Sequence, residues 1–369
     1  MIKYLGSKRR LVPVIAALAG GTGASTALDL FSGSARVAAA LKATGLDVTA
    51  VDRTRAAHVL ASCAVATDAD RIDHERLAAV LAELDALPGV DGYVTETFCR
   101  QARFFQPENG QRIDAIRGAI DVIDDEVLRP VLLTALLQAA DRVDSTTGVQ
   151  MAYLKTWAPR SSRRLTLRAP DLLSGPGRAL QGRAEDLVDE LHPVDVAYLD
   201  PPYNQHRYES NYHVWETIVA ADEPEAYGVA RKRIDLRDPA GRSAFNQRRA
   251  MPLALASVIE RVKAGVVIVS VSDEAWVPVD DVVEWCSPHG AVRVVSVGQA
   301  RYVGARIGIH NPAGERVGRV SHTRLREFLV IAGPEAKVDG AIVAASSEIA
   351  ELDGEVTVPD RTLTTQSEN

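Results

Sequence analysis

Asp200-Pro201-Pro202-Tyr203 sets a carboxylate, a main-chain carbonyl on a proline-stiffened turn and a flat phenol ring within four positions. Consecutive prolines restrict φ, and so fix the direction of the Pro201 carbonyl. A carboxylate and a carbonyl are two hydrogen-bond acceptors. Aimed at the two N–H groups of an exocyclic base amine, they hold its lone pair toward an alkyl donor. Such an amine needs that help, because its lone pair is delocalised into the ring. The Tyr203 ring offers a face for a base taken out of its stack. Adenine N6 and cytosine N4 pose the same problem, so the tetrapeptide alone leaves the base open. Its structural alternative is an ordinary Pro-Pro turn after a strand.

Two further groups could hold a small ligand. Phe31-Ser32-Gly33-Ser34-Ala35 is a small-residue turn that lets a ligand approach the backbone near a helix N-terminus. Asp52, a strand-end acid, is placed to accept hydrogen bonds from ribose hydroxyls, as in dinucleotide sites. At the N-terminus, Tyr4, Gly6 and Lys8 combine an aromatic ring, a glycine and a cation, a set able to cap a ligand carboxylate. Each alone also fits a structural turn or a solvated tail.

The elements that position these groups are legible in the periodicity. Thr26 to Phe31 reads as a strand, Val37 to Thr44 as a helix and Asp47 to Asp52 as a second strand, a β-α-β unit with a parallel sheet. From about Thr67 to Ala140 the pattern is helical, with apolar residues three and four apart in Arg71 to Leu87, Gln111 to Ile123 and Glu126 to Ala140. Strand patterns return at Val194 to Leu199, Gly265 to Val271, Val292 to Val297 and Phe328 to Ala332. Phe31, Asp52 and Asp200 thus fall at carboxyl ends of strands, where open α/β sheets bind ligands. The Ala-, Ser-, Thr- and acid-rich segment after Gly333 reads as loosely held.

Charge is distributed unevenly. The net −7 is mostly a property of Glu335 to Asn369, with eight acids and two bases, leaving the rest near −1. Within that rest, Met151 to Pro170 carries Lys155, Arg160, Arg163, Arg164 and Arg168 without an acid. Arg231 to Arg249, which includes Arg231, Arg233 and Arg248, carries seven bases against Asp235 and Asp238. Clustering of this kind is what a phosphate backbone responds to. The widely spaced Cys63, Cys99 and Cys286 argue against a disulfide framework or a zinc site, and no metal is expected. No apolar run is long enough for a membrane helix and Met1 to Gly6 shows no signal-peptide stretch, so a cytoplasmic protein is expected.

In their order along the chain these motifs resemble the alpha group of DNA N6-adenine methyltransferases, the Dam-like class. That class runs from an N-terminal aromatic-x-Gly-x-Lys motif through an F-x-G-x-G loop and a target-recognition insert to D-P-P-Y. The resemblance covers most of residues 1 to 332. It includes Phe105 to Asn109, Ile113 to Arg117, Thr147 to Lys155 and Tyr208 to Thr217. It implies an α/β, Rossmann-like methyltransferase fold with a mostly parallel sheet, interrupted by a helical target-recognition insert. Residues 1–66 and 170–334 would form the core, 67–169 the insert, and 335–369 an acidic tail without counterpart.

The resemblance also implies roles. Tyr4 and Lys8 would contact the methionine part of S-adenosyl-L-methionine. Asp29, Phe31, Gly33 and Ser34 would line its pocket, and Asp52 would hold the ribose. Glu185 or Asp186, of which Asp186 is taken, would sit near the cofactor adenine. Asp200, Pro201 and Tyr203 would hold a flipped-out adenine, while the basic segments grip double-stranded DNA. A cognate restriction endonuclease is a candidate second partner. The second loop glycine of the family is Ala35 here. His213 and Trp215 read equally as core or as DNA contacts. The rival readings are an N4-cytosine methyltransferase, an RNA amine methyltransferase and a non-catalytic DNA-binding scaffold.

Overall fold

The most β-branched run in the chain, Ala-Gly-Val-Val-Ile-Val-Ser-Val-Ser, becomes a strand buried along nearly its whole length, β7 (Ala264–Ser272). A near-continuous apolar run of this kind suits a strand covered on both faces. The computed structural model describes residues 2–4, 6, 8–203, 207–300 and 324–359. Contacts group the chain into two compact units. One comprises Met1–Arg9, Phe31–Ala184 and His206–Ser243; the other comprises Arg10–Leu30, Glu185–Gln205 and Ala244–Asn369.

In the second unit, β1 (Thr26–Asp29) pairs parallel with β4 (Val194–Leu199), and β4 pairs parallel with β7. The register sets Asp29 opposite Tyr198 and Leu199 opposite Val269, so the chain leaves β4 into Asp200 at the carboxyl end of a central strand. Beyond β7 the pairing turns antiparallel through β9 (Arg324–Gly333), β8 (Ala291–Ala300) and β10 (Glu355–Thr357). Asp195 accepts from the Ser25 and Thr26 amides at 2.9 and 3.0 Å, fastening the start of β1 to that of β4.

The segment after Gly333 differs from expectation. Glu335–Ala344 and Ser346–Glu351 are helices, and the first packs against α1 (Val12–Gly21), where Gly340, Ala341 and Ala344 come close to Gly21. Arg293 pairs with Asp339 at 2.8 Å. Small and polar residues suggested disorder, but alanines at helical spacing suffice to pack closely against a small-residue helix. The last part of the expected tail, 360–369, lies outside the described residues.

In the first unit, α2 (Arg36–Ala43) follows the glycine turn and leads to β2 (Asp47–Asp52), which pairs parallel with β3 (Gly177–Gln181). A small antiparallel pair, β5 (Ala226–Tyr227) and β6 (Lys232–Arg233), lies in the second basic segment's surroundings. The helical insert is present as α4 (His74–Ala86), α5 (Pro107–Asp121) and α6 (Leu128–Val143). Their apolar faces share one core with α3 (Arg55–Ala61) and α9 (His213–Ala220). The insert helices and β2–β3 fall in this one contact unit.

Much of the family-like text in this unit is fastening. Asp114 accepts from the Val94 and Thr95 amides at 2.9 and 2.8 Å. Arg117 donates to the Ile218 and Val219 carbonyls that end α9. Glu216 accepts from the Arg55 and Ala56 amides, satisfying donors at the start of α3 that the helix itself leaves orphaned. Gln150 takes the Val214 and Trp215 amides on its side-chain oxygen.

Candidate active site

Within the first unit the glycine turn, the N-terminal motif and the segment around Tyr208 meet. Ser32 donates its amide to the Val51 carbonyl, bringing the turn alongside the end of β2. Asp52 then accepts the Gly33 amide on Oδ2 at 2.9 Å, and the Thr54 amide and hydroxyl on Oδ1 at 2.9 and 3.1 Å. Burial raises its pKa against the lowering effect of these bonds. A carboxylate offers about four acceptor positions, two on each oxygen, so Oδ2 keeps capacity for a further donor.

Gly33 has φ +50°, and a Cβ there would lie 3.0 Å from the Tyr4 ring. The glycine therefore makes room for that ring as well as for the turn. Tyr4 stacks on Tyr212 and Tyr208, with centroids 4.5 and 5.3 Å away. Burial, with Asp52 next, pushes its phenol pKa well up, so it stays a neutral hydroxyl. Gly6 lies where a Cβ would come 2.9 Å from the Tyr208 hydroxyl. Lys8 and Ser34 are buried, while Leu5 and Ser7 of the same motif lie outside the described residues. Ala35, at the family's second glycine, has φ +57° and is fully buried. That left-handed backbone is the physical reason for a glycine there, and the alanine bears a strain of about 1 kcal/mol or more.

Residues to which the sequence motifs assign no role complete this cluster. Tyr208 and Tyr212 are four apart, on one side of the short helix α8 (Tyr208–Asn211) and its end. Glu209 pairs with Arg53, Nη1 to Oε1 at 2.7 Å. The aromatic spacing was a usable signal; the Arg53–Glu209 pair had none.

The second unit holds the other half of the assignments. Asp200 follows β4 directly, in the irregular Asp200–Tyr203 segment, and the Tyr203 carbonyl accepts the Trp276 amide at 3.1 Å. Asp29, at the end of β1, is 1% exposed. Asp186 is exposed in a short helix, α7 (Ala184–Leu187), and Glu185 is half-buried, its carbonyl accepting from Arg261 at 3.0 Å.

The expected DNA-contacting bases divide. Arg233 is 6% exposed and held by Asp222 and Asp235 at 2.7 and 2.8 Å. Burial pulls its pKa down, but the two acids outweigh this and raise it. Arg160 gives two bonds to buried Asp144 at 2.9 and 2.6 Å and one to the Thr146 carbonyl. Both guanidinium groups are engaged by acids within the fold, which sequence clustering does not count. Arg231 is half-buried at φ +50°. Lys155, Arg163, Arg164 and Arg248 have exposed side chains, Arg164 also donating to the Asp85 carbonyl at 3.0 Å.

His213 and Trp215 belong to the core, 0% and 2% exposed. The His213 Nε2 pairs with the Gln150 carbonyl at 3.0 Å, and burial lowers its pKa to about 3. The buried Cys63 and Cys286 thiols are pushed up by burial to about 11 and about 12, and Cys99 likewise upward. Among the described residues no helix is long and apolar enough to cross a membrane.

One unit carries a strand-end acid beside a glycine turn, and the other carries Asp-Pro-Pro-Tyr after a strand paired in parallel on both sides, features of an α/β protein. The profile of the D12 class N6 adenine-specific DNA methyltransferases matches residues 4–237, and the chain belongs to that family. It is 30% identical over 194 residues to the type II methyltransferase M.FokI of Planomicrobium okeanokoites, covering 51% of this chain and 29% of that protein. The modification methylase LlaI of Lactococcus lactis subsp. lactis is 27% identical over 225 residues, 58% of this chain and 35% of that one. The type II methyltransferase M.CviAII of Paramecium bursaria Chlorella virus 1 is 28% identical over 239 residues, 62% and 71%. The chain thus spans only about a third of the length of the first two relatives.

Proposed function

We propose that this protein transfers a methyl group from S-adenosyl-L-methionine to N6 of a flipped-out adenine in double-stranded DNA. Asp200-Pro201-Pro202-Tyr203 at the carboxyl end of β4 carries the reading. Asp200 and the Pro201 carbonyl would accept from the two amine hydrogens, and Tyr203 would stack on the base. The donor, when bound, supplies an electrophilic methyl group on a sulfonium.

The residues present fit that donor. A glycine turn fitted against an aromatic ring, an acid with a spare acceptor position and a buried lysine suit an adenosyl group carrying an amino acid. Tyr4, Lys8, Asp29, Phe31, Gly33, Ser34 and Asp52 are proposed to hold it, with Asp186 or Glu185 toward its adenine. Residues 67–169 would serve target recognition and 1–66 with 170–334 the transfer. Arg163, Arg164, Lys155 and Arg248 would meet phosphates. A cytoplasmic member of a restriction-modification pair, with a cognate endonuclease, follows from the same reading.

Incubation with labelled donor and mixed-sequence DNA, followed by digestion to nucleosides, tests it. Labelled N6-methyladenine is expected. N4-methylcytosine would move the assignment to the other amine, and no transfer would leave a non-catalytic DNA-binding protein.

A further inference from the structure

Glu209 is a carboxylate inside the donor-side cluster to which the reaction as described gives no task. Both of its oxygens are buried and neither accepts a hydrogen bond. Arg53 lies 2.7 Å away but not in hydrogen-bond alignment, and spends its Nη2 on the Gly241 carbonyl at 2.7 Å. A chain of contacts closes around the site. Asp52 holds Gly33, Gly33 abuts the Tyr4 ring, Tyr4 stacks on Tyr208, Glu209 follows in sequence, and its partner Arg53 adjoins Asp52. The Glu209 charge is felt at both Asp52 and Tyr4, raising the pKa of each behind the larger effect of burial.

Two acids, Asp52 and Glu209, thus lie beside the residues proposed to hold the donor, with Arg53 paired to Glu209. S-adenosylmethionine carries a sulfonium and an ammonium against one carboxylate. S-adenosylhomocysteine, the product, has lost the sulfonium charge and is otherwise the same molecule apart from the methyl group. We propose that Glu209 is a specificity-determining residue: its buried carboxylate makes the site favour the cationic donor over the spent product. This rests on S-adenosylmethionine being the donor. An acid with unused acceptor positions in a partly dry site acts on charge at a distance, so it distinguishes the two ligands without touching the atom that differs. The consequence is relief from product inhibition.

The test is calorimetric titration of the full chain with S-adenosylmethionine, S-adenosylhomocysteine and sinefungin, which carries an ammonium where the donor carries its sulfonium. The wild-type protein is expected to bind both cationic ligands more tightly than the product. Glu209→Gln is expected to cut that preference about tenfold, as befits one charge pair at a partly screened site, and to leave product affinity within about twofold. Glu209→Asp, which keeps the charge, should retain the wild-type order. Equal affinities for donor and product in the wild type overturn the proposal, as does a Glu209→Gln variant that weakens all three ligands by one factor. Binding of none of the three by the wild type would overturn the donor reading itself.

Discussion

Asp200 stands at the end of a strand paired on both sides, and the chain stiffens into two prolines immediately after it. Its backbone position is therefore set by the sheet. Asp200→Ala is expected to abolish methyl transfer, by 10³-fold or more on the order of magnitude of a lost transition-state acceptor, while S-adenosylmethionine affinity in titration changes little. Loss of donor binding instead would mean the carboxylate serves the cofactor. His213 makes a different kind of prediction. Its pKa falls from about 6.5 unfolded to about 3 folded. Between those values the unfolded chain binds a proton that the folded chain does not. The stability is thus fully present above pH 6.5 and drains away as pH falls toward 3, by up to about 1.4 kcal/mol per pH unit. Urea midpoints at several pH values should show that slope, and His213→Gln should show less of it. Equal slopes would mean the imidazole titrates in contact with water.

At the scale of elements, the basic loop is a scaffolded surface. Asn109 in α5 donates to the Ser161 and Arg163 carbonyls at 3.2 and 2.9 Å and accepts the Leu165 amide at 2.8 Å. Asp144, at the end of α6, pairs with Arg160 at 2.6 Å and with Lys3 at 3.1 Å, so one buried acid anchors both the loop and the N-terminal motif. Arg163 and Arg164 project from this frame, exposed. Replacing both with Ala should weaken DNA binding and reduce the slope of log K against log salt by about 2, roughly 0.9 for each phosphate no longer neutralised. Arg160→Ala should instead cost stability, because buried Asp144 loses its closer partner and keeps Lys3, with the salt slope unchanged. A salt slope altered by Arg160→Ala and not by the other pair would reverse this assignment.

At the scale of the whole molecule, the three cysteines report on global opening. All are buried, and burial holds their thiols protonated. A thiol reagent at pH 8 should therefore titrate none of them in the folded protein and all three in denaturant. Rapid modification under native conditions would show that one of the two units opens independently. The C-terminal helices belong to the same argument: Val338, Ala341 and Ile349 are buried, so removing residues 335–359 would strip cover from the second unit.

The frame that presents the proposed chemistry was legible in the sequence. Strands β2 and β4 fall at their expected bounds, and Asp52 and Asp200 at their ends, because a period of two and a run of β-branched residues are local signals. The insert helices were legible for the same reason at a period of 3.6. The half-buried strand β3, with polar residues through it, carried no such signal. Which charges are neutralised within the fold was not legible in the sequence. Arg233 and Arg160 look like their neighbours in sequence, yet their partners Asp222 and Asp144 come from other elements. The tertiary structure likewise brought Tyr208 and Tyr212 onto Tyr4, about two hundred residues away, and Glu209 beside Arg53. Pairing and burial between distant segments leave no period in the sequence, since they depend on which faces meet after the chain has folded.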